Sequence, residues 1–349
     1  MVKIAELREI IKKYDQDELR LIIAAIYKAL PPKIREEKEL DAIISNPAAL
    51  KEKKADKKQE AVDIDWLKLE INDFIEDAKA QYYLGPNRYI SKKDRPKWRF
   101  KVMAFYKDLT RAAVNANDLP LVADMMEELY KLLCYACGTS LFNTDDPFES
   151  IRIRQIDFFH SLLSLKFQVL DDKAIFIRDA LLLIRDNNTS RFTDYSALIT
   201  VFVQSLKTPS LKELAVEACR AMSTEEELPR PAQKNTGYMT FLSTIKNKIP
   251  AEAGLFILIA LGDYQAGADF FNRYYEEEEK EVRLYVLLRY LSEFNLTEQW
   301  RLEYERAVAD QVEPRAELRL VYRFIQENNR LPEAIMDVRP LAYTTIIVP

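Results

Sequence analysis

Six glycines in 349 residues are the feature that most constrains this chain. Glycine supplies the left-handed turns and close backbone approaches on which a doubly wound nucleotide-binding sheet depends. A chain so short of it is poorly suited to that class. Leu, Ile, Ala, Glu and Lys dominate instead, and all but Ile are strong helix formers. With 48% hydrophobic and 31% charged residues the balance is that of a globular protein, long enough to bury a large core. The expected fold class is all-α.

The punctuation along the chain supports this. Residues 1–50 form a short N-terminal helical segment. In it, Asp15-Gln16-Asp17-Glu18 has the pattern of a capping box, followed by the apolar run Leu19 to Tyr27 and a stop at Pro31-Pro32. The stretch Lys51-Glu52-Lys53-Lys54-Ala55-Asp56-Lys57-Lys58-Gln59-Glu60 has no apolar stripe to bury, so 51–63 reads as a charged linker. From 64 to 338 the helical signal is continuous. Leu67, Ile71, Phe74, Ile75, Ala78 and Tyr82 make one stripe, which Gly85-Pro86 ends. Helices are then predicted in pairs: 96–115 with 120–137, 147–170 with 172–185, and 191–206 with 209–222. Later pairs start near 236, 279 and 314. Residues 339–349 form an apolar, β-prone tail expected to dock in extended form on the helical body.

Helices in the array are apolar on more than one side. Ile156, Phe159, Leu163, Phe167 and Leu170 make one stripe, and Phe158, Leu162, Leu165 and Val169 make another. Leu284, Leu287, Leu288, Leu291 and Phe294 line one side of a later helix, with Val282, Tyr285 and Val286 off it. Such helices need neighbours on two sides, which stacked hairpins supply. The starts near 148, 192, 236 and 279 lie 44, 44 and 43 residues apart. That spacing resembles the two-helix unit of HEAT and armadillo arrays, and residues 262–271 resemble the inter-helix turn of a tetratricopeptide repeat. The expectation is therefore an α-solenoid-like stack of antiparallel helical hairpins.

Chemistry-bearing residues are few. Cys134 and Cys137 are spaced as a redox or metal pair, but Gly138 marks the end of a helix there, and redox thiols sit at helix starts. Cys219 and His160 are the only further Cys or His residues, so a zinc site would need all four to converge. His160 continues the Phe159 stripe and reads as a packing residue. Glu276-Glu277-Glu278-Glu279-Lys280-Glu281 reads as a solvated turn and helix start. No phosphate loop, nucleophile elbow or metalloprotease motif is present, and one histidine leaves little for acid–base schemes. No cofactor is expected. Three cysteines make no disulfide framework, and with neither a secretory leader nor a membrane span in the pattern the expected location is cytoplasmic.

One stretch departs from this background: YYLGPNRYISKKDRPKWRFK, residues 82–101. It holds seven Lys or Arg and one Asp, a net of +6, which leaves −11 for the rest of a chain whose formal charge is −5. Trp98 is expected to point inward. Arg88, Tyr89, Lys92, Lys93, Arg95, Lys97, Arg99 and Lys101 are the candidate contacts for a partner or an anion. The expected function is a non-enzymatic scaffold or adaptor whose helical surface binds a protein. The alternatives are nucleic-acid association through 88–101, disfavoured by a pI near 5.4, and an enzyme with an unrecognised carboxylate site.

Overall fold

A computed structural model describes residues 10–31, 34–35, 40–45, 62–224 and 247–332. The described residues are helices and connecting turns, with no strand among them. The linker residues 51–61, the helix start near 236 and the tail 339–349 lie outside the described residues. The chain divides into two compact units, 1–62 and 63–349.

In the first unit, α1 (Gln16–Ala29) opens on the expected capping box: Asp15 accepts from the Asp17 and Glu18 amides, and Glu18 accepts from the Asp15 amide. No residue of α1 is buried. A short α2 (Leu40–Ser45) contributes Asp41, which accepts a hydrogen bond from the Tyr27 hydroxyl.

The second unit begins with α3 (Ile64–Lys79), capped by Asp63, and the predicted stripe Leu67, Ile71, Phe74, Ile75 and Ala78 is its buried face. It continues with α4 (Trp98–Ala112), α5 (Leu119–Gly138), a one-turn α6 (Pro147–Ile151), α7 (Gln155–Val169), α8 (Lys173–Arg185), α9 (Tyr195–Ser205) and α10 (Pro209–Thr224). After the undescribed residues come α11 (Ile249–Leu261), α12 (Tyr264–Tyr274), α13 (Lys280–Glu293), α14 (Thr297–Ala309) and α15 (Ala316–Asn328).

Packing runs largely between helices close in the chain. Both α3 and α4 pack on α5, α5 on α7, α7 on α8 and α9, and α8 on α10. Further on, α11 packs on α8, α9, α10 and α12, then α12 on α13 and α14, and α14 on α15. Surrounded in this way, α11 is buried on nearly every side, as its run of apolar residues requires. Its approach to α12 is close enough to demand glycine: a Cβ on Gly254 would lie 2.2 Å from the Phe270 ring. Gly262 ends α11 with φ +84°, and Asp263 caps α12.

Four local expectations are corrected. The helix predicted over 147–170 is two helices, because Arg152 takes a left-handed conformation (φ 58°) and closes α6 after one turn. Asp146 caps α6, and its other oxygen holds the loop before α9 by accepting from the Ser190 hydroxyl and the Arg191 amide. Gly138 is not a cap but the last residue of α5, and Thr139 follows in extended form. A Cβ there would meet the Asn188 side chain at 2.4 Å, so packing explains this glycine. His160 is exposed rather than packed. It stands one residue on from buried Phe159, and a helix turns about 100° per residue, so adjacency in sequence carried it off the buried face. The acidic run is also less uniformly solvated than expected. Glu277 pairs with buried Lys248 at 2.6 Å, and Glu281 forks onto Arg315 with two contacts of 2.6 Å.

Candidate functional site

The basic segment is a loop held in place by its own side chains. Asn87 organises its first half: the amide nitrogen donates to the Tyr82 and Gly85 carbonyls, and the amide oxygen accepts from the Tyr89 and Ile90 amides at 2.9 and 2.7 Å. Asp94 organises the second half, accepting from Ser91 and from Lys97 at 2.7 Å. These two donors hold the Asp94 carboxyl below its ordinary range. A 3-10 turn, Arg95–Lys97, then leads into α4, whose first turn has no side-chain cap.

Aromatic packing fixes the segment to the helical body. Trp98 is 4% exposed and stacks on Phe142, which lies on the loop after α5. Phe142 stacks in turn on Phe74 of α3, and Phe74 meets Tyr83 and Phe105. The inward setting of Trp98 follows the sequence expectation; Phe105 is buried with it, and Met103 and Tyr106 are half-buried.

A cleft of about 340 Å³ opens beside this cluster, lined by Lys92, Arg95 and Arg99 together with Tyr83, Trp98 and the α6-side residues Asn143 and Ser150. No carboxylate lines it. Arg95 is steadied by donating to the Ile90 carbonyl at 3.2 Å. The Tyr83 hydroxyl is buried and has no hydrogen-bond partner among the described residues. Burial pushes the Tyr83 phenol well above its usual range, and the Asp77 charge adds to this.

The eight predicted contacts therefore divide. Lys92, Arg95 and Arg99 converge on the cleft. Arg88 and Tyr89 lie apart from it, with Arg88 donating to the Tyr89 hydroxyl and the Tyr89 ring stacked on Tyr82 at 4.5 Å. Lys97 is engaged by Asp94, Lys101 acts electrostatically on Asp77, and Lys93 is exposed. Sequence reasoning missed Tyr83, Asn143 and Ser150. The last two come from a segment about fifty residues away, and nothing in their local pattern marks them.

The other chemistry-bearing residues do not assemble into a comparable site. Cys134 and Cys137 lie at the C-terminal end of α5, and burial, followed by the neighbouring Cys134 and Asp146, pushes the Cys137 thiol up. Cys134 is buried in a polar knot with Tyr130 and Gln155, whose side chain also accepts from the Ser190 amide at 2.7 Å. Among the described residues no three His, Cys, Asp or Glu side chains are grouped so as to hold a metal ion. No helix of the described residues is long and apolar enough to cross a membrane. No protein-family profile, curated protein or solved structure matches this chain.

Proposed function

We propose that this chain is a non-enzymatic scaffold that binds a partner protein on its helical surface, with the basic face of 82–101 as the point of contact. The observation that carries the reading is the convergence of Lys92, Arg95 and Arg99 on a cleft free of carboxylates, in a chain that is acidic elsewhere. Cations gathered without counter-charges attract an acidic surface over distance and bind it with Arg forks. The alternation of packing between near neighbours in the chain, and the two-sided burial of α7 and α13, support a solenoid-like stacking of the hairpins. Stacks of that kind offer extended faces to proteins. Cytoplasmic residence belongs to the same reading, supported by three cysteines that are not joined in disulfides.

The test is affinity capture from the source cell, followed by the variant with Arg88, Lys92, Lys93 and Lys97 all changed to Glu. Binding of the captured protein should weaken strongly at low salt. The difference from wild type should shrink as salt rises, since the Debye length falls from ~30 Å at 0.01 M to ~10 Å at 0.1 M. Unchanged affinity at low salt would remove the basic face from the contact.

A further inference from the structure

We infer that the cleft between the 82–99 segment and the α5–α6 connection is a receptor for a single phosphoryl group, carried by a phosphorylated segment of the partner protein. This rests on the contact reading above and names the group that enters. Three observations converge on it. Lys92, Arg95 and Arg99 line one half-open cleft, and no acidic side chain lines it with them. The first turn of α4 starts at the same place, with Trp98 and Arg99 in the lining; the Trp98 amide is taken by the Arg95 carbonyl of the preceding 3-10 turn, and the positive end of the 15-residue helix adds to the cationic field. Independently of charge, Tyr83 lines the cleft at 3% exposure, and its buried hydroxyl lacks a hydrogen-bond partner among the described residues. A buried donor left unpaired is costly, and a small shift of the lining side chains on binding would bring a phosphoryl oxygen to it as acceptor.

The ligand's size and charge follow from the setting. A cleft of about 340 Å³ has room for a phosphorylated side chain together with part of its backbone. A dianionic phosphoryl group matches three cations better than a carboxylate does, and its three oxygens can be shared between two guanidinium forks and the phenol. A nucleic acid strand needs a cationic track along many phosphates, whereas the chain outside 82–101 carries −11.

The experiment uses the full chain and a rhodamine-labelled Gly-Ala peptide with one central phosphoserine, read by fluorescence anisotropy. The unphosphorylated peptide, a glutamate peptide and an oligo-dT strand are the other arms, and inorganic phosphate is the competitor. The phosphopeptide should bind at one site, about tenfold or more tighter than the unphosphorylated form, and free phosphate should displace it. Arg95→Gln with Arg99→Gln should remove that preference. Tyr83→Phe should weaken phosphopeptide binding severalfold while its thermal midpoint stays level or rises, because the variant removes an unsatisfied group; a merely structural tyrosine would leave binding unmoved. If the double variant fails to fold, Lys92→Gln at an exposed position and Tyr83→Phe carry the test. Equal affinity for phosphorylated and unphosphorylated peptide overturns the inference, as does oligo-dT binding that phosphate does not displace. No phosphate preference in the wild-type chain, with the four-site charge reversal still severing the partner, would sink the cleft and leave the contact reading standing.

Discussion

Trp98 lies flat on Phe142, with ring centroids 4.0 Å apart and planes 13° from parallel. One ring begins α4 and the other belongs to the loop after α5, so the stack joins the basic segment to the body at one point. Trp98→Ala should cost about 3–5 kcal/mol of stability, as truncation of a buried aromatic does. Denaturant unfolding measures this, and a loss under about 1 kcal/mol would mean that the ring is not the anchor described.

Glu252 is buried in α11 and its carboxyl is raised to about 7, first by burial, against the opposing Tyr290 hydrogen bond and the charges of Arg289 and Lys248, with Glu293 adding to the rise. The folded state therefore holds a proton that the unfolded chain releases near pH 4.5. Stability falls as pH rises from about 4.5 to about 7 and levels off above, a change of about 3 kcal/mol from this residue. Glu252→Gln should flatten that slope and leave the variant more stable than wild type at pH 8. Thermal midpoints of both proteins across pH 4.5–8 give the difference curve. Two parallel curves would show that Glu252 titrates normally.

Cys137 and Cys219 both have thiols pushed up by burial. At pH 8 they should react with iodoacetamide far more slowly than a free thiol of small-peptide type, and urea should release them together with unfolding. Mass spectrometry of labelled peptides resolves the sites. Rapid native labelling of Cys137 would mean that the end of α5 opens readily.

Arg152 is exposed and left-handed, a conformation in which a side chain costs about 1 kcal/mol relative to glycine. Arg152→Gly should be neutral or stabilising by up to that amount, and Arg152→Val should destabilise by more. Chemical denaturation of the two variants decides it. The opposite order would indicate that the Arg152 side chain, not its backbone, shapes the break.

Most helices were legible from periodicity because burial here is a matter of which face points inward. The α3 stripe and the α1 capping box could be read directly. What could not be read was set by contacts between segments. The break at Arg152 carries no Gly, Pro or Asn to announce it, and the apolar pattern runs through it. The cationic residues of the segment were visible as composition, but their division into three that converge on the cleft and four that do not depends on Asn87 and Asp94 folding the loop. Tyr83 reads as one more apolar ring until its hydroxyl is found buried without a partner. The acidic run misled for the same reason, since Lys248 and Arg315 reach Glu277 and Glu281 from 29 and 34 residues away.

The packing of each helix against those a short distance along the chain has a consequence for how the molecule is made. A helix leaving the ribosome meets most of its contacts within the next one or two helices, so little unpaired apolar surface waits for distant sequence. The exception is α11, which needs α8, α9, α10 and α12 and whose apolar faces stay uncovered until all are present. A chain ended just past residue 261 would leave this most apolar helix without α12, its last neighbour.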